Sequence, residues 1–289
     1  MIIRGIDHFS LEQCLTCGQA FRWKSEGGGF KGVALGRAVY AVQQGRDVTL
    51  AGVDERAGRD FIRYFDLERD YGAIKRSYAG DPFLREGMEY AGGIRVLRQP
   101  PFETLISFII SQNNNVKRIS GIIERLCQSY GEPINSGSPK SREAFWGGNG
   151  GYDFPTPQAL TRCCPKDFEE CGAGYRASYI AGAANMVAES FDLEGLALLP
   201  YEHAREQLQK IPGVGPKVAD CVALYSLGFT QAFPADVWMK RVLRCVYGFK
   251  GNDKQMRAFI DSKFGMNAGL AQQYLFHYAR NNSCLLHEE

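Results

Sequence analysis

The sequence predicts an α+β protein, with a strand-rich antiparallel N-terminal domain over residues 1–98 and a mainly α-helical domain over residues 99–289. Three observations carry this. Residues 19–52 string short β-prone runs, QAFRWK and then KGVALGRAVYAVQQGRDVTLAGV, between Gly-rich turns, a pattern that suits an antiparallel meander. From about residue 55 the apolar residues recur at intervals of three and four in RDFIRYFD, FETLISFIISQ, VKRISGIIERLCQSY, YIAGAANMVAES, AREQLQKI, KVADCVALYSLG, DVWMKRVLRCVYG and GLAQQYLFHYAR, the spacing of helices with one buried face. Between the two patterns lies Arg98 to Pro101, where two prolines interrupt the chain before a strongly apolar helix. The Gly- and Pro-rich stretch 131–157 reads as a long surface loop within the helical part.

Composition bounds the function classes. With 45% hydrophobic and 23% charged residues in 289, the chain is globular rather than disordered or collagen-like, and long enough for roughly two domains. No run reaches the roughly 18 apolar residues of a membrane span, and MIIRGIDHFS lacks a charged leader with an apolar stretch, so a chain that is neither exported nor membrane-bound is expected. Nine cysteines, an odd number, favour reduced thiols in the cytoplasm over a disulfide framework. The formal charge of +2 leaves nucleic acid open as a partner, because an electrostatic footprint belongs to one face and not to the total.

The most informative segment is Leu208-Gln-Lys-Ile-Pro-Gly-Val-Gly-Pro-Lys-Val-Ala-Asp-Cys221, where a helix ends, a Gly-Val-Gly turn follows and a second helix begins. Gly213 and Gly215 can take positive φ and carry no Cβ, so a phosphate can approach the backbone, while Pro216 suits the first turn of a helix whose free amides favour an anion. This is a helix-hairpin-helix pattern, which grips a DNA backbone without reading bases; the plain alternative is a packing turn. Residues 205–250 hold seven basic side chains (Arg205, Lys210, Lys217, Lys240, Arg241, Arg244, Lys250) against three acidic ones (Glu206, Asp220, Asp236). Lys217 stands in the first turn of the second helix, where the helix dipole opposes an ammonium, so its presence there calls for another reason; as a neutral amine it would be a nucleophile. Asp236, nineteen positions on in Phe233-Pro-Ala-Asp236, opens the next helix and is at least an N-cap.

These residues resemble the helix-hairpin-helix DNA glycosylase superfamily, and within it the 8-oxoguanine DNA glycosylases. PGVGPKVADC with FPADV carries the likeness, joined in order by Cys17-Gly-Gln-Ala-Phe-Arg-Trp23, Ser111-Gln-Asn-Asn-Asn-Val-Lys-Arg118, Gly174-Tyr-Arg-Ala177 and Ala268-Gly-Leu-Ala-Gln-Gln-Tyr-Leu-Phe276. The resemblance implies a bifunctional enzyme acting on double-stranded DNA that contains 8-oxoguanine opposite cytosine, working as a monomer on the chromosome of a prokaryotic cytoplasm, without cofactor or metal. It implies that Lys217 captures C1′ as a Schiff base and that Asp236 stabilises the oxocarbenium-like transition state. The target base must be flipped out of the stack. The resemblance then puts Asn113 in the vacated space and Tyr175 as a wedge, with Arg118 and Arg176 donating to the estranged cytosine. In the base pocket it implies that the Gly18 carbonyl accepts the N7–H of the lesion, that Gln272 bonds the Watson-Crick edge, and that Phe276 and Cys221 cover the two faces, with Pro234 beside them. Gly213 and Gly215 would meet the DNA backbone.

Trp238 stands where some relatives carry a phosphate-binding histidine, and indole cannot become cationic. Only Cys284 follows Cys245, too few thiols for an iron-sulfur cluster, and Cys14-x-x-Cys17 lacks the second pair a zinc site needs. Two alternatives stay open: a glycosylase of the same superfamily for other damaged bases, and a non-catalytic hairpin module that only holds DNA.

Overall fold

A computed structural model describes residues 1–134 and 151–282. Five strands form one antiparallel sheet: β1 (Ile2–Ile3), β2 (Trp23–Glu26), β3 (Gly29–Ala34), β4 (Arg37–Gln44) and β5 (Asp47–Ala51), in the order β1-β5-β4-β3-β2. The meander from β2 to β5 is the one the sequence predicts. Its first turns sit at Gly27-Gly28 and Leu35-Gly36, where both residues have positive φ, the backbone hand that matches the twist of a two-residue hairpin. Strand β2 begins only at Trp23, because Gln19, Ala20 and Phe21 are buried in succession and do not alternate. The short helix α1 (Leu11–Thr16) and strand β1 have no counterpart in the sequence expectation.

One face of the sheet turns Trp23, Val39, Ala41, Val48 and Leu50 onto α2 (Glu55–Tyr64), whose Phe61, Tyr64 and Phe65 complete a small core; Tyr64 Oη accepts a bond of 3.0 Å from Trp23 Nε1. The next helices, α3 (Tyr71–Ser77) and α4 (Pro82–Tyr90), place Tyr71, Ile74, Tyr78 and Leu84 in a second, larger core with the C-terminal helices. Cys17 and Phe21 also enter that core, so the N-terminal chain contributes to both. Gln19, 1% exposed, ties the two together: its amide bonds Arg95 O and Leu97 N at 2.8 and 3.0 Å, and its own carbonyl accepts from Gln99 Nε2 at 2.7 Å.

Helix α5 (Pro101–Ser111) is buried continuously from Thr104 to Ile110, as its all-round apolar sequence requires, and forms the centre of the large core. Around it lie α6 (Val116–Tyr130), α7 (Pro157–Leu160), α8 (Pro165–Glu170), α9 (Ala177–Glu189), α10 (Tyr201–Leu208), α11 (Pro216–Val222), α12 (Val237–Cys245), α13 (Asp253–Phe264) and α14 (Ala268–Asn281). Helix α11 runs into a π turn at Ala223–Leu227 that ends at Gly228 with φ +85°. The expected surface loop over 131–157 is pinned at its base by the Pro133–Tyr152 bridge; its residues 135–150 lie outside the described residues. Among the described residues no helix is long and apolar enough to cross a membrane.

Candidate active site

The hairpin forms between α10 and α11 as the sequence predicts. Gly213 takes φ +79°, and a Cβ there would lie 2.6 Å from Tyr179 Cβ, so the position excludes other residues twice over. Gly215 departs from expectation: its φ is −88°, and it serves as the N-cap of α11 without a side-chain cap bond. What its lack of a side chain provides is open space, since nothing lies within 4 Å of where a Cβ would stand. After Pro216, which has no N–H, the first amides of α11 have no carbonyl of the helix to receive them.

Lys217 follows in the first turn of α11, half-buried, with Nζ 5.1 Å from the centre of the Phe108 ring. Phe108 comes from the central helix α5, stacks on Tyr225 at 5.3 Å and meets Phe21 edge-on at 5.6 Å. One turn after the lysine, Cys221 is 2% exposed. Burial pushes its thiol up to about 11; the Lys217 ammonium opposes that by charge and hydrogen bond, while the Asp236 carboxylate adds to it. One buried sulfur thus senses both an amine and a carboxylate nineteen residues apart in sequence. Asp236 caps α12 through a bond of 2.9 Å from Met239 N. That bond uses one carboxylate oxygen; the other meets no donor among the described residues.

The N-terminal segment joins the same place. Tyr225, held well above the ordinary phenol range first by burial, also feels Cys221, Cys17 and Asp236. Gly18, next to Cys17, has φ +94° and open space at its Cβ position, so its backbone is approachable. Gln272 is 3% exposed, and Pro234 is buried at the start of the segment leading to Asp236. Phe276, one helical turn after Gln272 on α14, is half-buried with the Arg280 guanidinium 6.0 Å from its ring.

A second group of side chains collects around Gln112, at the C-terminal end of α5. Its carbonyl accepts from Tyr175 Oη at 3.3 Å and from Arg176 Nε at 2.8 Å, and its amide donates to Gly213 O at 3.0 Å. One residue therefore ties the Asn113 turn to both the hairpin and the Gly174–Arg176 turn. Asn113 is exposed with φ +47°, Asn115 caps α6 through Arg118 N, and Arg118 projects into solvent. Tyr175 is 58% exposed. Arg176 differs from the expected free donor: it is 3% exposed, and its guanidinium bonds the carbonyls of Gln112, Asn113 and Ala173. In this state it holds the turn that presents Asn113.

The positive count around the hairpin is reduced in the fold. Arg205 pairs with the buried Asp220 at 2.7 Å and Lys240 with Asp253 at 2.9 Å, while Lys210, Arg244 and Lys250 remain exposed. Trp238 is half-buried beneath Arg241, whose guanidinium stands 6.0 Å from the indole. Cys14 and Cys17 are buried free thiols, and Cys14 Sγ accepts from Arg95 N at 3.1 Å. Among the described residues no cluster of His, Cys, Asp and Glu could hold a metal ion.

Sequence reasoning missed Gln112, Phe108, Tyr225 and Gln273. Gln112 lies inside a motif singled out for its asparagines, yet its partners are 63 and 101 residues away, beyond any local signal.

A β-meander followed by packed helices, with a Gly-rich hairpin that carries Lys217 one turn before a buried thiol, defines a protein of the helix-hairpin-helix class. Residues 1–105 match the family model for the 8-oxoguanine DNA glycosylase N-terminal domain, and residues 106–264 match the model for HhH-GPD superfamily base excision DNA repair proteins. The chain belongs to the 8-oxoguanine DNA glycosylase family, the N-glycosylase/DNA lyases of that superfamily. It is 30% identical to a probable N-glycosylase/DNA lyase of Methanothermobacter thermautotrophicus, over 97% of this chain and 96% of that protein. The N-glycosylase/DNA lyase of Arabidopsis thaliana is 32% identical over 94% of this chain and 78% of its own length. Among solved structures, the Clostridium acetobutylicum 8-oxoguanine glycosylase/lyase in complex with double-stranded DNA containing cytosine opposite 8-oxoG is 38% identical, with a TM-score of 0.90 over 98% of this chain and 95% of that one.

Proposed function

We propose that this chain binds double-stranded DNA, extrudes 8-oxoguanine paired with cytosine, and removes the base through a lysine Schiff base before cutting the strand by β-elimination. Lys217 Nζ, as the neutral amine, attacks C1′ while the N-glycosidic bond breaks and the base departs with the bonding pair, taking up a proton. Asp236 stabilises the positive charge that develops on the sugar. The nitrogen then sheds a proton as the C1′–O4′ bond breaks and O4′ takes one up, which opens the sugar ring and leaves an iminium at C1′; this acidifies the C2′ proton, whose loss drives cleavage of the C3′–O bond, and the 3′ phosphate leaves. Gly18, Gln272, Phe276, Cys221 and Pro234 receive the base; Asn113 and Tyr175 hold the gap in the duplex; Arg118 reads the estranged cytosine.

Arg176 joins Arg118 at the cytosine in this reading, after exchanging its carbonyl partners on Gln112 and Asn113 for the base's N3 and O2. The Gly213–Gly215 backbone takes a phosphate, and Trp238 contributes an indole N–H to the DNA. The setting is the cytoplasm, where chromosomal DNA is reached directly.

The observation that supports the reading most is the position of Lys217, one helical turn before the buried Cys221 and with Nζ 5.1 Å from the centre of the Phe108 ring, where the Asp236 charge is also felt at the thiol. Borohydride trapping on an 8-oxoguanine:cytosine duplex tests it. A covalent protein-DNA adduct is expected from the unmodified chain and is lost in Lys217→Gln. Absence of an adduct from the unmodified chain rejects the Schiff base, and base release measured in the same reaction then separates a glycosylase that activates water from a module that only holds DNA.

A further inference from the structure

Next to Gln272 lies a buried polar relay. Gln273 Nε2 donates to Tyr225 Oη at 2.5 Å and to Gln272 Oε1 at 2.7 Å, and all three residues are 5% exposed or less. Tyr225 is placed for this by the π turn Ala223–Leu227, which follows the helix carrying Lys217 and Cys221. Gln273 Oε1 is buried without a hydrogen-bond partner.

A primary amide reads a base with one donor and one acceptor side by side, and turning it by half a rotation reverses their order. A 6-oxopurine presents an acceptor at O6 beside a donor at N1–H, whereas a 6-aminopurine presents a donor at N6 beside an acceptor at N1. An unrestrained glutamine serves either edge. Here the N–H of Gln273 is directed at the Gln272 oxygen, and reversing the Gln272 amide would set two donors against each other. Reversing both amides removes that clash, but puts the two N–H donors of Gln273 where its unpartnered oxygen now lies. Two orphaned donors in a buried place are worse than one under-used carbonyl.

We infer that Gln273, anchored by Tyr225, fixes the orientation of the Gln272 amide and so makes the pocket select a 6-oxopurine lesion over a 6-aminopurine one. The inference rests on the base-reading role proposed for Gln272. Gln273 is a positioning residue, acting through its neighbour.

Single-turnover excision of 8-oxoguanine and of 8-oxoadenine, each placed opposite cytosine in the same duplex, tests this as a ratio of rates. In Gln273→Met the ratio falls at least tenfold, chiefly because 8-oxoadenine is excised faster; in Tyr225→Phe, which keeps the ring but removes the anchor, it falls by less. Gln273→Glu, whose carboxylate only accepts, draws the Gln272 N–H toward itself and lowers the ratio further than methionine does. Adding Gln273→Met to Gln272→Ala changes nothing more. Ratios within twofold of the unmodified chain in both Gln273→Met and Tyr225→Phe, with Gln272→Ala lowering it, overturn the orienting role alone. A ratio unmoved by Gln272→Ala overturns the base-reading role, and the inference with it. Thermal melting separates either outcome from loss of fold.

Discussion

Asp236 caps a helix, and the proposed mechanism gives it a second duty that mutagenesis can separate from the first. Its N-cap bond to Met239 N is structural, and asparagine caps a helix about as well as aspartate. The negative charge that a developing oxocarbenium needs is absent from asparagine. Asp236→Asn should therefore leave the melting temperature almost unchanged while slowing single-turnover base excision by on the order of 100-fold; equal rates would remove the charge role and leave only the cap. Asp236→Ala should add a loss of about 1 kcal/mol in stability. The cap was legible in sequence because it depends on residues 236 to 239 alone. The burial of Arg176 was not: its carbonyl partners on Gln112 and Asn113 lie 64 and 63 residues earlier, and a guanidinium in a Gly-Tyr-Arg-Ala motif looks the same whether it faces DNA or backbone.

At the scale of the element, the hairpin contains two glycines with different duties. Gly213→Ala must accept φ +79° and a Cβ pressed against Tyr179, so it should destabilise the fold by about 1–3 kcal/mol, read as a lower denaturant midpoint. Gly215→Ala meets neither obstacle, with φ −88° and open space ahead. It should fold normally yet bind duplex DNA more weakly, because the methyl group occupies the room a phosphate would use. Equal DNA affinity in Gly215→Ala would argue against backbone contact there. The Pro-Gly-Val-Gly-Pro pattern announces a turn with helices on both sides; which glycine is strained and which is merely open depends on Tyr179, brought in by α9.

At the scale of the molecule, Glu103 marks the junction between the two parts of the chain. It stands in the first turn of α5, 3.6 Å from the guanidinium of Arg22, which reaches it from just before β2. Burial raises its carboxyl above the ordinary 4.5, with the Arg22 charge opposing and Asp153 adding to the rise. The folded chain thus holds this proton more tightly than the unfolded chain. The contribution to stability is greatest below pH 4.5 and is lost as the pH climbs through the raised value. Relative to Glu103→Gln, the unmodified chain should lose stability as the pH rises from 4.5 toward neutrality; parallel melting curves across that range would contradict it. By itself the sequence determined what depends on near neighbours: the alternation that makes the meander, the spacing that makes the helices, the hairpin and the Asp236 cap, each set by backbone sterics and burial of one face. Tertiary structure alone decided that α3 and α4 join the helical core, that Lys217 Nζ lies over the Phe108 ring, and that Gln273 turns toward Gln272 and Tyr225. Those outcomes depend on which distant surfaces exclude water together, a property of the packed chain that no window of sequence contains.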